Sequence, residues 1–312
     1  MAFDIIGDIH GEAGKLRGLL EHLGYRDRSG AYRHPEPGRS AIFVGDFIDR
    51  GPSQVEVVTT VRRMVDAGTA LAIMGNHEFN AIAWHTPDPD IEGEFLRPHR
   101  GVIGDKNRSQ HGAFLAEVES KPELHADLID WFLTLPLWLD LPGLPVVHAC
   151  WHEAYMTELQ PHLKPGFRLS RELMVRASRQ GSMEFRNVEA LTKGVEVTLP
   201  EGRMFHDKDG HVRHNVRIRW WDPVATTYRD LALMPDDVRQ GLPAENVPAD
   251  MQAPYDGVKP VFFGHYWMTG KPAVQSATCA CVDYSAAKSG SLVGYRWDGE
   301  PLLNTTKFAY AG

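Results

Sequence analysis

The chain has 312 residues, of which 43% are hydrophobic and 24% charged, and its formal net charge is −8. This composition is ordinary for a folded globular protein and excludes a fibrous or wholly disordered chain. The negative charge argues against a surface that binds a nucleic-acid duplex, and three cysteines do not form the even set of a secreted disulfide framework. No apolar run reaches the length of a membrane span and the chain starts directly on a strand pattern, so we expect a cytoplasmic protein without membrane contact.

Three predicted strands in the first eighty residues each end in a short polar signature. The strands cover residues 3–6, 41–44 and 71–74, and the signatures that follow them are Gly7-Asp8-Ile9-His10-Gly11, Gly45-Asp46-Phe47-Ile48-Asp49-Arg50-Gly51 and Gly75-Asn76-His77-Glu78. Apolar residues at three- and four-residue spacing predict helices between the strands. This βαβαβ order predicts a parallel sheet with all three signatures at one edge, where ligands bind in such sheets.

Two further buried strands are predicted later in the chain, and each leads to a histidine. Residues 144–147 are followed by His148, and residues 260–263 are followed by Gly264 and His265. Between the two halves the sequence predicts a long polar loop over 86–110 and helices over 112–120 and 124–133. A last set of strands, over 273–277, 280–283 and 292–297, has the alternation of a sheet with one covered face.

Residues 161–221 form a basic segment, which we predict to be a cap inserted into a catalytic domain made of 1–160 and 222–312. Residues 161–220 contain 12 Lys and Arg against 7 Asp and Glu, although the whole chain is acidic. We expect a helix over 166–180 and strands over 195–199 and 213–221, around an Asp209-Gly210 turn. The positive charge is either a solvated helix face or a cap that steers an anionic substrate, and Trp220 and Trp221 either stack on a base or lie in the core.

Six polar residues at the predicted strand ends are suited to hold metal ions: Asp8, His10, Asp46, Asn76, His148 and His265. Such oxygen and nitrogen ligands accept Mn, Fe, Zn or Co alike, and Mn is the ion we expect in vitro. Two ions about 3.5 to 4 Å apart could activate a bridging water for attack on phosphorus. Singly, each Asp could cap a helix and each His could lie in the core, but their shared position at strand ends favours a dinuclear metal site.

The ordered set of motifs closely resembles the calcineurin-like metallophosphoesterase superfamily, and within it the phosphoprotein phosphatase branch of Ser/Thr phosphatases and bacterial diadenosine tetraphosphatases. The residues that carry the resemblance are Gly7-Asp8-x-His10-Gly11, Gly45-Asp46-x-x-Asp49-Arg50-Gly51, Gly75-Asn76-His77-Glu78, His148 and Gly264-His265. The resemblance implies an α/β fold, a four-layered α/β/β/α sandwich with the site at its top. It also implies in-line attack by a metal-bridging hydroxide, without a covalent enzyme intermediate.

The resemblance further implies roles for individual residues. His77 is expected to be the general acid, with Asp49 hydrogen-bonded behind it, and Arg50 and Asn76 are expected to contact the phosphate. The second phosphate-binding arginine has no unmistakable match, and either Arg217 or Arg219 could fill that place. We expect Glu78 to hold neighbouring loops, and five histidines without strand-end alignment to be loop or surface residues: His85, His99, His111, His152 and His206.

Three functions remain open on the sequence. The first is a phosphoesterase for a dinucleoside polyphosphate or another small anionic phosphoester, the second is a Ser/Thr or dual-specificity protein phosphatase, and the third is a binding protein without turnover. The segment His148-Ala149-Cys150 makes a bulkier rim than the two glycines that follow this histidine in many protein phosphatases. That rim and the basic segment favour a small anionic substrate, whereas retention of His77 and Arg50 argues against the third function.

Overall fold

The structure is a computed structural model that describes residues 2–206, 212–249, 252–253 and 255–311. The first half of the chain contains, in order, β1 (Ala2–Ile6), α1 (Ala13–His22), β2 (Arg26–Arg28), β3 (Ala31–Arg33), β4 (Arg39–Phe43), α2 (Gln54–Asp66), β5 (Ala70–Ala72), α3 (Asn76–His85), α4 (Gly101–Val118) and α5 (Pro122–Phe132). The second half contains β6 (Trp138–Leu141), β7 (Leu144–Val147), α6 (Glu153–Leu159), α7 (Arg171–Ala177), α8 (Met183–Lys193), β8 (Glu196–Thr198), β9 (Phe205–His206), β10 (Val212–Arg213), β11 (Asn215–Arg217), α9 (Tyr228–Leu231), α10 (Asp236–Arg239), β12 (Val261–Phe263), β13 (Cys279–Cys281), β14 (Leu292–Trp297) and β15 (Phe308–Ala311).

Two sheets form the centre of the molecule. The first has the strand order β15-β14-β1-β4-β5, and the second has the order β13-β12-β7-β6. The neighbours β1, β4 and β5 are parallel, as the βαβαβ pattern predicted, and β12 is parallel to both β13 and β7. The carboxyl ends of β1, β4 and β5 therefore lie at one edge of the first sheet, and those of β7 and β12 lie at one edge of the second. No helix of the described residues is both long and apolar enough to cross a bilayer.

The two sheets pack face to face, with helices outside them. Along β1, Ile5 belongs to the apolar cluster between the sheets together with Ile42 and Phe262, whereas the next residue, Ile6, packs into the cluster that contains the helices. Because successive side chains of a strand point to opposite faces, each central strand contributes to both clusters. The predicted four-layered α/β/β/α sandwich is confirmed.

Three elements differ from the sequence predictions. The predicted loop over 86–110 contains the first ten residues of α4, which starts at Gly101 rather than near residue 112. Few residues of α4 are buried and Gly101 and Gly104 weaken the helical pattern, so periodicity did not reveal its first turns. The predicted strand over 273–277 is not a strand, and the helix predicted over 166–180 is the shorter α7, followed by α8.

The strand pair predicted in the basic segment is present in shortened form. Strand β8 pairs antiparallel with β11, with Val197 opposite Val216. The predicted Asp209-Gly210 turn lies outside the described residues. Trp220 and Trp221 are buried against Phe263, so they belong to the core and do not offer a free stacking surface.

Ion pairs explain why a basic segment occurs on an acidic chain. Arg171 pairs with Asp130, Arg186 pairs with Glu158, and Arg179 contacts both Asp88, at 2.5 and 2.7 Å, and Asp90, at 2.7 Å. All four carboxylates lie in the sequence before residue 161. Much of the positive charge of the basic segment is thus paired with carboxylates that precede it in the chain. The division into a catalytic domain and a cap stays a prediction.

A buried carboxylate in β1 ties several elements together. Asp4 is completely buried and accepts hydrogen bonds from the Tyr25 hydroxyl at 3.0 Å, from Arg296 Nε at 3.0 Å and from Arg39 Nη1 at 3.4 Å. Asp4→Ala leaves these donors without their shared acceptor, so we expect the free energy of unfolding to fall by about 3 kcal/mol. Urea denaturation measures this loss. Glu36→Ala removes an exposed partner of the same Arg39 and is expected to cost less than about 1 kcal/mol; equal losses in the two variants would contradict the assignment.

Candidate active site

The strand ends bring the six predicted metal ligands into one buried cluster. Asp8 and His10 follow β1, Asp46 follows β4, and Asn76 begins α3 directly after β5. From the second sheet, His148 follows β7 and His265 follows β12. All six are at most 8% exposed, which is unusual for so many polar side chains in one place.

Asp46 lies at the centre of this cluster. Its Oδ2 atom is 3.3 Å from His148 Nε2, 3.7 Å from His10 Nε2 and 3.9 Å from His77 Nε2. Burial acts to raise the pKa of Asp46, but the facing imidazoles of His148 and His77 outweigh it and hold that pKa well below its usual range. One carboxylate thus faces donors from both sheets.

The cluster contains buried polar atoms without hydrogen-bond partners, and these atoms fit a metal site. They are Asp8 Oδ1, His10 Nε2 and His265 Nε2. The other ring nitrogen of His10 is fixed by the Ile48 carbonyl at 2.9 Å, and Nδ1 of His148 is fixed by the Val44 carbonyl at 2.7 Å. A backbone carbonyl that accepts from Nδ1 leaves Nε2 with a lone pair for an ion, which is how metal-binding histidines are usually oriented.

Two groups of side chains within the described residues have donor atoms close enough to share an ion. One is His10, Asp46 and His77, and the other is Asp46, His148 and His265. Asp8 is in neither group, but its free oxygen and its position make it suitable as an added ligand. Burial, followed by the charge of Asp283, raises the pKa of Asp8 well above its usual range. Bound cations would relieve this repulsion, so the residues present fit two ions that share Asp46.

The backbone of the site is held in a conformation that side chains rarely adopt. Six non-glycine residues have positive φ: His10, Asp46, Asp49, Arg50, His265 and Trp267, with values between 48° and 78°. Left-handed backbone at non-glycine residues is costly and tends to cluster at functional sites. At Gly264 a Cβ atom would lie 2.0 Å from Asp8 Oδ1, so only glycine lets this strand end approach the carboxylate.

Asp49 links two histidines. Its Oδ2 is 2.5 Å from His77 Nδ1 and its Oδ1 is 2.8 Å from His111 Nδ1. Burial would raise the pKa of Asp49, but the hydrogen bonds from His111 and His77 lower it below the usual range. Burial would likewise lower the pKa of His77, but the charge of Asp46 and the bond to Asp49 raise it above the ordinary value.

The prediction that His111 is a loop or surface residue is wrong. This residue lies within α4, is 1% exposed, and packs its ring on Phe114. Its spacing from Phe114, Leu115 and Val118 places it on the apolar face of that helix, and this was the signal that could have identified it. His152, which was also expected in a loop or on the surface, lies in the loop directly before α6. It is buried there and caps α6, because its Nδ1 accepts from the Tyr155 amide at 3.3 Å.

Arg50 is exposed at the site and is oriented by an aromatic ring. Its guanidinium stacks 3.7 Å from the ring centre of Trp267, and the ammonium group of Lys288 lies 4.2 Å from the same centre. Stacking on a tryptophan face is a favourable arrangement for a guanidinium and leaves its planar edge free to bind oxygen atoms. Trp267 was not identified from the sequence.

Two buried carboxylates outside the predicted site support its loops. Glu78 accepts hydrogen bonds from the backbone amides of Asp46 and Phe47, both at 2.8 Å, and of Gly75 at 2.9 Å, as a residue that holds neighbouring loops should. Asp283, which the sequence did not reveal, accepts from the Trp267 amide at 2.7 Å and so fixes the loop after His265. Both residues act on the backbone that carries the site.

The two candidate arginines of the basic segment are placed differently. His265 has a pKa well below its usual value, first because of burial and then because of the positive charge of Arg217. The charge of Arg217 thus acts on a residue of the cluster, while its Nη2 donates to Glu196 at 3.3 Å and the Nε atoms of both arginines are buried without a hydrogen-bond partner. Arg219 instead donates to the Asp230 carbonyl and lies 3.6 Å from Asp222. This arrangement favours Arg217 as the second phosphate-binding arginine.

A cleft of about 1090 Å³ opens directly beside the cluster. Its inner end is formed by Asp49, Arg50, Asn76 and His77, and it continues between α3, α4 and α8. We call this cavity the side cleft. Its volume is at the upper end of the range for pockets that enclose a small molecule.

Comparisons with known proteins identify relatives of this chain. A family model described as calcineurin-like phosphoesterase matches residues 1–266. The chain is 49% identical over 158 residues to bis(5'-nucleosyl)-tetraphosphatase PrpE (asymmetrical) of Halalkalibacterium halodurans, a match that covers 48% of this chain and 57% of the relative. The match to the protein of the same description in Oceanobacillus iheyensis is 44% identical over 77 residues and covers 25% of this chain and 30% of the relative. The matched stretches thus span about a third to just over half of these relatives.

A solved structure has the same fold. A protein serine/threonine phosphatase from Saccharomyces cerevisiae aligns with 100% of this chain and 79% of its own, at 14% identity and a TM-score of 0.53. At that identity the likeness concerns the fold alone.

Proposed function

Because this chain belongs to the calcineurin-like phosphoesterase family, we propose that it is a dinuclear-metal hydrolase that cleaves phosphoanhydride bonds of dinucleoside polyphosphates. The observation that carries the chemistry is the convergence of buried, unpartnered donor atoms beside the His77–Asp49 pair. The substrate class is supported by the relatives described as bis(5'-nucleosyl)-tetraphosphatases and by the side cleft next to His77.

The metal ligands we propose are Asp8, His10, Asp46, Asn76, His148 and His265, with Asp46 shared by both ions. Two divalent ions held there would supply a Lewis acid and a water of lowered pKa, and Mn is the ion we expect to serve in vitro. Asn76 Oδ1, which is 2.8 Å from His265 Nδ1 and 3.2 Å from His148 Nε2, lies between the two late histidines. It can accept from His265 Nδ1, and its position beside His148 Nε2 fits two ligands of one ion.

His77 donates a proton to the leaving oxygen. Its Nδ1 is occupied by Asp49 at 2.5 Å, so the proton that can move is on Nε2. The carboxylates of Asp46 and Asp49 favour the charged imidazolium, which is the form that can donate. When the bond between phosphorus and the leaving oxygen breaks, the electron pair stays on that oxygen and the Nε2 proton neutralises it.

Arg50 binds the non-bridging oxygens of the phosphate under attack, and Arg217 is the second arginine that we assign to this group. Trp267→Ala is expected to lower kcat/KM about tenfold, mainly through a higher KM, because Arg50 loses the ring that orients it. Trp267→Phe keeps an aromatic face and is expected to retain most of the activity. Steady-state kinetics on both variants checks this, and a loss in the Phe variant as large as that in the Ala variant would contradict it.

His111 positions Asp49 and so acts through His77. His111→Phe keeps the packing against Phe114 but removes the hydrogen bond to Asp49, and we expect kcat to fall about tenfold with KM nearly unchanged. His125→Phe is the matched control, because His125 is also buried beside Phe114 but lies outside the site. If both variants lose activity equally, or if KM rises in place of the fall in kcat, His111 does not position Asp49.

The proposed function is tested with three substrates at a fixed Mn concentration: diadenosine tetraphosphate, para-nitrophenyl phosphate and a phosphopeptide. Anion-exchange chromatography of the nucleotide reaction should show unequal products, ATP and AMP, if this chain acts as the description of its relatives suggests. Two ADP products would mean that the central phosphoanhydride bond is cleaved, and the substrate class would still be a dinucleoside polyphosphate. If only the peptide releases phosphate, the proposal is wrong and the chain is a protein phosphatase. If metal-loaded protein turns over none of the three substrates, the chain is a binding protein.

A further inference from the structure

The side cleft carries charged side chains that hydrolysis at the metal cluster does not require. Beyond its inner end, its walls carry the positive groups Arg97, Lys106 and Lys193 and the single carboxylate Glu189. Lys193 pairs with Glu189, so these two charges largely cancel. Beyond Arg50 at the inner end, Arg97 and Lys106 therefore remain as cations of the cleft without an ion pair among the described residues.

Arg97 is the more informative of the two. Its side chain is partly buried, and its Nη2 donates to Gln110 Oε1 at 2.7 Å. Within the described part of the chain no carboxylate forms an ion pair with Arg97 or Lys106, in contrast to Arg171, Arg179 and Arg186 of the basic segment. Burial lowers the pKa of Arg97, which the more distant Asp49 and Glu189 only partly oppose. A guanidinium that is partly removed from water and has no counter-ion favours an anionic ligand, so this position is suited to one.

The remaining walls suit the rest of a nucleotide. The side chains of Leu96, Ile103 and Phe185 supply apolar surface, and Ile103 is 65% exposed at the rim. Amide groups of Asn80, Asn107 and Gln180 are also among the lining residues. Apolar walls with a few polar groups are typical of sites that enclose an organic ligand.

The direction of the cleft follows from the position of His77. In an in-line displacement the attacking oxygen and the leaving oxygen are on opposite sides of phosphorus, and the general acid is beside the leaving oxygen. His77 and Asp49 form the inner end of the side cleft. A leaving oxygen beside His77 would therefore lie at the inner end of this cleft.

We propose that the side cleft is the leaving-group subsite, in which Arg97 and Lys106 bind the phosphate chain of a leaving nucleotide and the apolar wall contacts its nucleoside. This assignment rests on the proposed function and specifies it: the preferred substrates carry at least one phosphate beyond the bond that is cleaved. Water adds to one phosphorus and loses a proton, and the bridging P–O bond breaks with its electron pair on the leaving oxygen. That oxygen takes the proton from His77 Nε2, and the two cations stabilise the negative charge that remains on the leaving phosphate chain. Simple monoesters such as para-nitrophenyl phosphate do not reach these cations.

The test compares three charge-removing variants. Arg97→Gln and Lys106→Gln are each expected to lower kcat/KM for diadenosine tetraphosphate about tenfold, while kcat/KM for para-nitrophenyl phosphate changes less than twofold. Arg108→Gln is the matched control, because Arg108 is an exposed residue of α4 that pairs with Glu119 and does not line the cleft. If the two substrates lose activity equally, Arg97 only supports the fold. If neither substrate is affected, the leaving group binds elsewhere. Either result overturns the proposal.

A binding measurement separates this proposal from the proposed function. ATP represents the leaving nucleotide, and isothermal titration calorimetry gives its Kd for the Mn-loaded protein without any need for turnover. We expect Arg97→Gln to weaken ATP binding about tenfold and Arg108→Gln to leave it unchanged. If the protein does not cleave diadenosine tetraphosphate but shows this difference, the substrate assignment fails and the anion subsite stands. If the wild type and Arg97→Gln bind ATP with the same affinity, the proposed subsite is wrong, whichever substrate the enzyme cleaves.

Discussion

His77→Asn is expected to lower kcat for diadenosine tetraphosphate by about 10²- to 10³-fold, with little change in KM. The variant loses the Nε2 proton that we assign to the leaving oxygen, and general-acid catalysis by a positioned side chain contributes a factor of this size. The binding groups Arg50 and Arg97 are untouched, so substrate affinity should be retained. Steady-state kinetics with saturating Mn measures the two parameters separately.

The dependence on the leaving group distinguishes proton donation from metal binding by His77. His77 Nε2 is 3.9 Å from Asp46 Oδ2, close enough for His77 to be considered as a ligand as well. A general acid matters most when the leaving oxygen is a strong base, so the loss should be larger for phenyl phosphate than for para-nitrophenyl phosphate. Equal losses for the two esters, together with weaker Mn binding, would assign His77 to the metal instead.

Removal of metal is expected to destabilise the fold as well as abolish activity. Asp8, Asp46 and Asp283 bring three carboxyl groups into one buried region, and burial raises the pKa of both Asp8 and Asp283. Adding Mn back at about 100 times its Kd stabilises the protein by about 2.7 kcal/mol per site. For a chain of this size that corresponds to a rise in Tm of about 4 °C per site. Differential scanning fluorimetry of the chelated and the Mn-loaded protein measures the shift.

Two variants make this stability test specific. Asp46→Asn removes the carboxylate that both proposed ions share, so the shift in Tm on adding Mn should be largely lost. Asp105→Asn removes an exposed carboxylate of α4 and should keep the full shift. A shift that persists in Asp46→Asn would mean that Mn stabilises the protein somewhere other than at this cluster.

The sequence predicted those parts of the site that local pattern determines. Asp8, Asp46 and Asn76 each follow an apolar run that reads as a strand, and parallel strands place such residues at a common edge. The convergence of Asp8, His10, Asp46 and Asn76 therefore follows from the βαβαβ pattern, whereas His148 and His265 reach them through the packing of the second sheet on the first. Their role as metal ligands stays a prediction.

The residues that the sequence missed depend on contacts between distant segments. The spacing of His111 from Phe114 could have shown that it is buried, but its hydrogen bond to Asp49 joins residues 62 positions apart, which no local pattern predicts. Asp283 acts through a backbone amide of the loop after His265. Arg97 was assigned to a polar loop, and only the packing of α3, α4 and α8 around the side cleft shows that it lacks a counter-ion. Such relations arise from tertiary structure and have no periodicity to detect.

The spread of the donors along the chain, from Asp8 to His265, has a consequence for synthesis. A ribosome that has released the first two hundred residues has already supplied Asp8, His10, Asp46, Asn76 and His148, but not the strand end that carries His265. Both sheets must then associate before the proposed second ion would have its full set of donors, and such contacts between distant segments form late in folding. On the proposed function, we therefore expect nascent chains to lack hydrolase activity until translation has passed the last histidine.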